Sequence, residues 1–505
     1  MTDAETGGDR GREAGTGGSR GFGRAGPRRR RIGLLFGLAF LAAGLVVPPP
    51  AGLPAAAWRT AACGLLMASW WVTEAIPIPA TSLVPIVLFP VLGIADVGAA
   101  ASPYANDLVF LFLGGFLLAR AMERWGLPRR IALGVVSLSG TSPRGIVGGF
   151  MLATALLSMW VSNTATAMIM LPIGLSVLEL LGRGEARRSG LAVALMLGIA
   201  YSASIGGLGT LIGTPPNAFL AAFMSEEYGV RIGFARWMAF GLPIVLVGLP
   251  LAYLVLTRVV TRLGAEPIEG SRELLGRQRA ALGRLRGPER RVAVVFALVA
   301  LLWVTRPVLE GAVPGLSDAG IGVGGGLVLF LLPAGGGADE ALLSWEEAAS
   351  LPWGVLLLFG GGLSLASAFQ SSGLTKAIGG VAHALAGVPQ LALVAVTAGI
   401  VILLTELTSN TATTAAFLPV LASVAVGIGM APLELAVPAA VAASCAFMLP
   451  VATPPNAIVY GSGDLTVPQM ARAGVLLNAL FLGLLVLATW LLLPPVLGAV
   501  AAVGT

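Results

Sequence analysis

The chain has 505 residues, of which 56% are hydrophobic and only 11% are charged. Soluble proteins carry roughly 25% charged residues, so this composition and a mean hydropathy of +0.89 exclude a soluble globular protein. The net charge of +6 does not indicate nucleic-acid binding, because the basic residues lie in loops beside apolar segments. We therefore expect an all-α polytopic membrane protein whose surroundings are the lipid bilayer.

The N-terminal segment 1–31 is rich in glycine and arginine without periodicity, which predicts a disordered basic tail. Arginines at 28–31 directly precede the first apolar stretch, so the positive-inside rule predicts a cytoplasmic N-terminus. A secretory signal peptide with a cleavage site near residues 55–57 is the competing interpretation. We favour a multi-pass protein of the inner (plasma) membrane with its N-terminus in the cytoplasm.

Long apolar runs predict membrane-spanning helices, for which about 17 to 25 residues are typical. Several runs are too short, or too interrupted by proline and glycine, to cross simply. The runs give about 11 or 12 candidates, before deciding which segments enter the membrane and turn back. They are residues 32–47, 57–71, 81–93, 107–122, 190–224, 232–260, 292–309, 321–332, 352–368, 391–406, 433–450 and 471–496.

A Trp-Trp pair at 70–71 is followed by prolines at 77 and 79. Because proline cannot continue a helix, one span is predicted to end here, near a membrane interface that the tryptophans anchor. Glu74 is interpreted as a helix-end carboxylate with a structural partner rather than as an ion ligand.

The sequence contains two copies of one unit. An offset of 247 residues takes Ser162 onto Ser409 and also takes the glycine-rich segment ending at Leu127 onto the one ending at Leu374. A Thr-Pro-Pro-Asn motif at 214–217 recurs at 453–456, at an offset of 239. Internal duplication is the usual plan of secondary transporters.

The two copies differ in the charge of one connector. Residues 120–147 contain five arginines, whereas residues 367–394 of the second copy contain only Lys376 as a basic side chain apart from His383. If arginine marks the cytoplasmic side, the copies have opposite orientations in the membrane. Residues 258–291 contain nine arginines, four glutamates and leucines at the helically spaced positions 274, 275, 282 and 285, which predicts an amphipathic cytoplasmic linker between the copies.

Each copy supplies two polar breaks within apolar sequence. A Ser-Asn-Thr triplet occurs at 162–164 and again at 409–411, and a hairpin that enters the membrane and returns, with the triplet at its tip, fits this pattern best. The consecutive prolines at 215–216 and 454–455 force unwound segments, which membranes tolerate only where protein or a water-filled cavity covers them.

Such breaks suit the binding of ions. Freed carbonyl oxygens, together with Ser, Thr and Asn oxygens, can surround a hard cation, while the N-terminus of the resuming helix suits an anion. No lysine or arginine lies inside the four motifs, so a dianion there would need bound cations as compensation. Small residues that let helices pack closely are the alternative explanation, but they do not explain the paired asparagines.

Glu406 precedes the second triplet and is an intramembrane carboxylate, by default a functional candidate. Its counterpart in the first copy is Met159, so it does not belong to a shared site. We interpret it as a buried partner of nearby backbone or hydroxyl groups rather than as a sodium or proton carrier.

These motifs resemble those of the divalent anion/sodium symporter family, which includes dicarboxylate, citrate and sulfate carriers. The resemblance covers about residues 57–490, and its matches are WWVTEAIPIPATSL, LFLGGFLLA, the two SNT triplets, GTPPN, LLLFGGGLSLA, TELTSNTAT and ATPPNA. It implies an inverted-repeat transporter with about 11 transmembrane helices and two re-entrant hairpins. It also implies a homodimer in which a mobile transport domain moves against a scaffold domain in an elevator-like manner.

The predicted organisation follows from this resemblance. It comprises a disordered basic cytoplasmic tail (1–31), first-repeat scaffold helices (32–130), first-repeat transport elements (131–257), a cytoplasmic linker (258–291), second-repeat scaffold helices (292–385) and second-repeat transport elements (386–505).

The resemblance also implies the site residues, carried over residue by residue. Sodium site 1 would use Ser158, Ser162, Asn163 and a carbonyl near Gly213, and sodium site 2 would use Thr405, Thr408, Asn410 and a carbonyl near Ala452. The substrate would be bound by Asn163, Thr164, Thr214, Pro215, Asn410, Thr411, Thr453 and Pro454. Relatives have Ser where this chain has Thr214, so the resemblance does not fix the size of the substrate pocket.

The sequence thus predicts a sodium-coupled importer of C4-dicarboxylates such as succinate, malate or fumarate, with sodium as the coupling ion and no organic cofactor. A sodium-independent exchanger and a sodium-coupled sulfate or citrate transporter are the alternatives within the family. An ion channel would give currents uncoupled from solute uptake. An enzyme would need a nucleophile and base or a metal set, and the single histidine, His383, lies outside every motif.

Overall fold

The computed structural model describes residues 26–188, 190–335 and 340–498, with the side chains of all of these except Arg183 and Arg188. Within these ranges the chain is helical, and extended pairing is limited to one isolated bridge between Pro333 and Ala341. The predicted all-α fold class is therefore confirmed. Residues 1–25, the main part of the predicted tail, lie outside the described residues.

The first copy is made of thirteen α-helices among the described residues. They are α1 (Pro27–Val46), α2 (Ala55–Thr73), α3 (Ile78–Thr81), α4 (Val84–Val91), α5 (Val97–Ala101), α6 (Asp107–Arg124), α7 (Leu127–Val136), α8 (Pro143–Ser158), α9 (Asn163–Leu180), α10 (Arg183–Arg188), α11 (Leu191–Gly207), α12 (Pro215–Tyr228) and α13 (Phe234–Leu254). A π-helical turn, Val255–Val260, continues α13.

The linker contains one short helix, and the second copy follows it. These helices are α14 (Ser271–Ala281), α15 (Gly287–Leu309), α16 (Asp318–Leu331), α17 (Trp345–Ala349), α18 (Trp353–Ser372), α19 (Leu374–Ala382), α20 (Gln390–Thr405), α21 (Asn410–Gly427), α22 (Pro432–Ala442), α23 (Pro454–Tyr460) and α24 (Val467–Leu493).

Helix boundaries repeat between the copies at the positions that the offsets predict. Helix α9 begins at Asn163 and α21 at Asn410, while α12 and α23 both begin at the first proline of the repeated motif. Gly126 and Gly373, which end α6 and α18, have φ angles of 71° and 83°. Glycine adopts this left-handed conformation without strain, so the same residue type ends the same helix twice.

The burial pattern is that of a membrane protein. Every residue of α11 is buried, and this helix packs against α8, α9, α13 and α23. Helix α1, in contrast, has apolar side chains on its outer surface, with Leu35 and Phe36 66% and 59% exposed. Apolar surface of this extent suits contact with lipid.

Seven helices in the described part of the chain are long and apolar enough to cross a membrane, or eight if one bent pair counts as a span. That pair joins Leu374–Leu385 to Gln390–Thr405 with a bend of 118°, as expected for a broken span or a re-entrant segment. Shorter apolar helices among the described residues are Ile78–Val91, Pro143–Ser158, Leu191–Gly207, Asp318–Leu331 and Pro432–Ala442. The predicted spans at 32–47 and 57–71 coincide with α1 and α2, which belong to neither group. The count of about 11 spans and the opposite orientation of the copies stay predictions.

Several predicted boundaries need correction. Helix α1 begins at Pro27, because proline is well tolerated at the first position of a helix. The arginines at 28–31 therefore lie in the first turns of α1 rather than in the tail. The divisions at 130/131, 257/258 and 291/292 fall inside α7, the π-helical turn and α15. The candidate span 190–224 consists of α11 and α12 with a break between them. The division into scaffold and transport elements itself stays a prediction.

Candidate functional site

The first Ser-Asn-Thr triplet lies between α8 and α9 and is the predicted tip of the first hairpin. That the hairpins enter the membrane and return stays a prediction. Ser162 has an exposed side chain that accepts a hydrogen bond from the Ala165 amide at 3.3 Å, so it caps α9. This is the usual role of serine at a helix N-terminus. Asn163, half-buried, is the first residue of the helix. The local sequence therefore stops one helix and starts the next with the asparagine at the tip.

A cluster of oxygen atoms surrounds the Asn163 amide. The hydroxyl of Ser158, which is 0% exposed, donates to the Ala203 carbonyl at 2.7 Å. One end of the Asn163 amide lies 2.6 Å from Ser158 Oγ, 3.1 Å from Ala203 O and 3.3 Å from Gly213 O. If that end is the nitrogen, it donates to all three oxygens. If it is the oxygen, four oxygen atoms converge there, and a cation bound between them would offset the repulsion of their partial negative charges.

The tip of the second hairpin has the corresponding arrangement. Thr405, also 0% exposed, has its hydroxyl 2.8 Å from the Ala443 carbonyl and 2.6 Å from Asn410 Oδ1. The hydroxyl of Thr408 lies 2.8 Å from the Leu404 carbonyl and 2.6 Å from Thr413 Oγ1, so its partners are within the hairpin. The paired positions at the two tips thus make paired contacts.

The asparagine that ends each Thr-Pro-Pro-Asn motif holds the unwound segment that precedes the motif. The Asn217 amide donates to the carbonyls of Gly207 and Thr210 at 3.0 and 2.8 Å. The Asn456 amide donates to the Ala446 and Leu449 carbonyls at 3.3 and 3.0 Å. Both asparagines are fully buried. Each side chain therefore satisfies two carbonyls that the break in the helix leaves without an intrahelical partner.

Close backbone approach at the first break requires glycine. A Cβ atom on Gly213 would lie 2.4 Å from the Gly207 carbonyl oxygen, and one on Gly207 would lie 2.8 Å from Asn163 Oδ1. These separations are shorter than atoms tolerate, and the first involves backbone that cannot rotate away. The glycines thus allow the unwound segment to lie directly against the hairpin tip.

The threonines before the prolines start the resuming helices. Thr214 and Thr453 are buried, and Thr453 Oγ1 accepts a hydrogen bond from the backbone N–H of Asn456 at 3.3 Å. Pro215 is half-buried, whereas Pro454 is exposed. The pseudo-equivalent positions therefore differ in how much protein covers them.

The two copies meet at these elements. Helix α9 of the first hairpin packs against α23 of the second copy, and α21 of the second hairpin packs against α12 of the first. Each hairpin thus contacts the helix that follows the break of the other copy. Among the predicted residues, direct contacts join Ser158 and Asn163 at the first tip and Thr405 and Asn410 at the second. Thr164 and Thr411 are half-buried.

Glu406 lies beside the second tip and is almost fully buried. Its carboxylate accepts hydrogen bonds from the backbone amides of Phe447, Met448 and Leu449 at 2.9 to 3.1 Å, and from the Asn478 side chain at 2.7 Å. The interpretation of Glu406 as a buried partner of backbone groups is therefore confirmed. Asn478, in α24, was not foreseen, since nothing in its sequence surroundings distinguishes it.

Two related halves, each with a helical hairpin and a broken helix, and each hairpin packed against the resuming helix of the other copy, have the plan of a secondary transporter of the membrane. A model of the family described as the sodium:sulfate symporter transmembrane region matches residues 28–496. The chain belongs to this family, so the resemblance found in the sequence is confirmed. The family consists of transporters, which also confirms the prediction that the protein is not an enzyme.

Similar proteins agree with this assignment. Sodium-dependent dicarboxylate transporters SdcS of Staphylococcus saprophyticus and of Staphylococcus aureus (strain USA300) are 42% and 43% identical over 477 residues, and each match covers 92% of both chains. The YdaH transporter of Alcanivorax borkumensis has a TM-score of 0.60 and covers 92% of this chain and 98% of its own. MtrF of Neisseria gonorrhoeae has a TM-score of 0.56, covering 92% and 95%. At 15% identity these two structures support the fold alone.

Proposed function

We propose that the protein imports C4-dicarboxylates such as succinate, malate or fumarate across the bacterial plasma membrane, coupled to the entry of sodium ions. The observation that carries this proposal is the oxygen cluster at Ser158, Asn163 and Gly213, which suits a hard cation. The similarity to sodium-dependent dicarboxylate transporters over most of both chains supports the choice of ion and substrate.

In the first cation site, the side-chain amide of Asn163 would rotate when sodium binds or leaves. Without sodium the nitrogen faces the oxygens of Ser158, Ala203 and Gly213 and donates to them. With sodium the amide oxygen faces them instead, and the nitrogen points away from the ion. Ser162 would contribute from the cap position of α9.

The second cation site would use Thr405, Asn410 and the carbonyl near Ala452, which is buried. Thr408 would join it by turning its hydroxyl away from Leu404. At paired positions both sites offer a hydroxyl (Ser158 and Thr405), an asparagine amide (Asn163 and Asn410) and a backbone carbonyl (near Gly213 and Ala452), which favours cations of one kind in both.

The substrate would lie between the two tips, where α9, α12 and α21 begin. Its carboxylates would accept hydrogen bonds from Asn163, Thr164, Asn410 and Thr411, with Thr214, Pro215, Thr453 and Pro454 around them. Helix N-termini favour anions. Since the repeated motifs contain no lysine or arginine, the sodium ions would supply most of the positive charge. Cation and anion would then raise each other's affinity by equal factors.

The asymmetry between the copies supports an elevator-type movement. Helix α12 packs against α6 and α18 of the predicted scaffold, whereas the main contacts of its counterpart α23 are α9 and α11. Beside α23, Val451 is 70% exposed and Pro454 is also exposed. We infer a conformation in which the site opens on the side of α23, which the predicted topology makes the cytoplasmic side. The opposite conformation would exchange these contacts between the copies.

Uptake of radiolabelled succinate into proteoliposomes, with an inward sodium gradient or with choline in its place, tests the proposal. We expect concentrative uptake only with the sodium gradient, and competition by malate and fumarate. Equal exchange of succinate in choline would favour the sodium-independent exchanger. Sulfate, which the family description names, is the second candidate, and stronger competition by sulfate or citrate than by malate would favour it. We also propose a homodimer, which light scattering of the purified protein would test.

A further inference from the structure

One arginine at the start of α1 contacts the tip of the second hairpin, far away in sequence. The Arg29 guanidinium nitrogen Nη2 donates to the Leu407 carbonyl at 3.0 Å and to the Val72 carbonyl at 2.5 Å. Val72 lies in the last turn of α2. A single side chain therefore joins the end of a predicted scaffold helix to a tip that the proposed mechanism moves.

The scaffold side of this contact is well defined. The last carbonyls of a helix have no intrahelical partner and favour a nearby cation. Arg29 satisfies one of them, and Arg30 Nε donates to the Ala75 carbonyl at 3.4 Å. Glu74, which lies between the two accepting residues Val72 and Ala75, ends α2 with a left-handed φ of 50°. Two arginines thus hold the turn after α2, and only Arg29 reaches the hairpin.

The hairpin side of the contact adjoins the proposed second cation site. Leu407 immediately precedes Thr408, and its side chain is 59% exposed, so the tip is open at this point. The neighbouring Glu406 carboxylate has four other hydrogen-bond donors. No ion pair of Arg29 is found among the described residues. The guanidinium charge therefore stays available to the surroundings of the tip.

We propose that Arg29 is a positioning residue for the second cation site, a proposal that rests on the proposed function. Its guanidinium holds the second hairpin tip by the Leu407 carbonyl when the site lacks sodium, and it competes with sodium for the tip. Sodium binding weakens the contact, and by linkage the contact promotes the release of sodium in this conformation.

The size of the effect follows from the repulsion of like charges. The carbonyl and Thr408 are adjacent in sequence, so guanidinium and sodium would be about 8 Å apart, roughly two Cα–Cα steps. At that distance two unit charges weaken each other's binding by about two- to thirtyfold, between the effective dielectric of water and that of a protein surface. The effect is large enough to measure and small enough to permit turnover.

The test is sodium binding to the purified full-length protein, measured as the sodium concentration that gives half of the maximal thermal stabilisation. Arg29→Gln should lower this concentration about two- to thirtyfold. Arg29→Lys retains the positive charge and should stay close to the wild type. Arg31→Gln is the matched control, since it removes an equal charge from the same helix end and the Arg31 side chain has no hydrogen bond to another described residue.

The outcomes separate the two proposals. If Arg29→Gln lowers stability without sodium but leaves the half-maximal concentration equal to that of Arg31→Gln, Arg29 is only a helix cap and the positioning role is overturned. If Arg31→Gln changes sodium affinity as much as Arg29→Gln, general surface charge is the cause and the positioning role is again overturned. A wild-type protein that sodium does not stabilise, and that shows no sodium-driven uptake, would overturn the proposed function as well.

Discussion

Replacing Asn217 by leucine tests whether the buried asparagines hold the broken helices. Leucine has a similar volume but cannot donate the hydrogen bonds that Asn217 makes to the Gly207 and Thr210 carbonyls at 3.0 and 2.8 Å. Leaving a buried polar group unsatisfied costs about 1 to 3 kcal/mol, so two carbonyls amount to about 2 to 6 kcal/mol. Even about 3 kcal/mol raises the population of the opened segment roughly a hundredfold.

Hydrogen exchange followed by mass spectrometry measures this opening directly. In Asn217→Leu, amides of residues 208–214 should exchange roughly a hundredfold faster, while residues 444–453 stay as in the wild type. The duplication provides the reciprocal control, because Asn456→Leu should affect 444–453 and leave 208–214 unchanged. Unaltered exchange at both breaks in both variants would refute the role of the asparagines.

Three further changes probe other parts of the site. Glu406→Gln removes the charge that accepts hydrogen bonds from four donors, namely three backbone amides and the Asn478 side chain. It should lower the free energy of unfolding by about 2 to 3 kcal/mol, measured by thermal denaturation in detergent, and an unchanged transition would contradict the buried-partner role. Gly213→Ala should reduce uptake at least about tenfold, since its Cβ meets the Gly207 carbonyl at 2.4 Å, whereas Gly134→Ala has open space and should transport normally. Thr405→Val removes a hydroxyl bonded to Asn410 and Ala443 and should raise the sodium concentration for half-maximal uptake; wild-type sodium dependence would exclude Thr405 from the site.

The repeat in the sequence predicted where the helices break. Consecutive prolines and the Ser-Asn-Thr triplets act on the local backbone, so an identical local sequence starts a new helix at Asn163 and again at Asn410. The pairing of hydroxyl and amide at each tip also follows from short sequence separation, since five residues join Ser158 to Asn163.

Contacts between distant segments could not be read from the sequence. Glu406 meets amides that follow it by 41 to 43 residues, and Arg29 meets Leu407 across 378 residues. Such contacts depend on how whole helices pack, for which a single sequence gives no signal. The boundary at residue 31 was misplaced for a related reason, because arginine-rich composition suggested disorder although α1 begins at Pro27.

In the linker, the sequence predicted the presence of a helix but not the residue at which it ends. Its predicted leucine pattern does form a helix, α14, in which Leu275 is buried against the transporter. Leu285, counted in the same pattern, lies beyond the end of the helix and is 45% exposed. Periodicity identified the helix but not where the chain leaves it, because Gly283 ends the regular pattern with a φ of 63°.

Succinate affinity measured by calorimetry at a series of sodium concentrations tests the central claim most directly, namely that paired tips bind cations and a dianion side by side. The wild-type protein should bind succinate more tightly as sodium rises, and succinate should raise sodium affinity by the same factor. Asn163→Ala and Asn410→Ala should each abolish this dependence while the protein stays folded. Sodium-independent succinate binding in the wild type, or an unchanged dependence in both variants, would contradict the account.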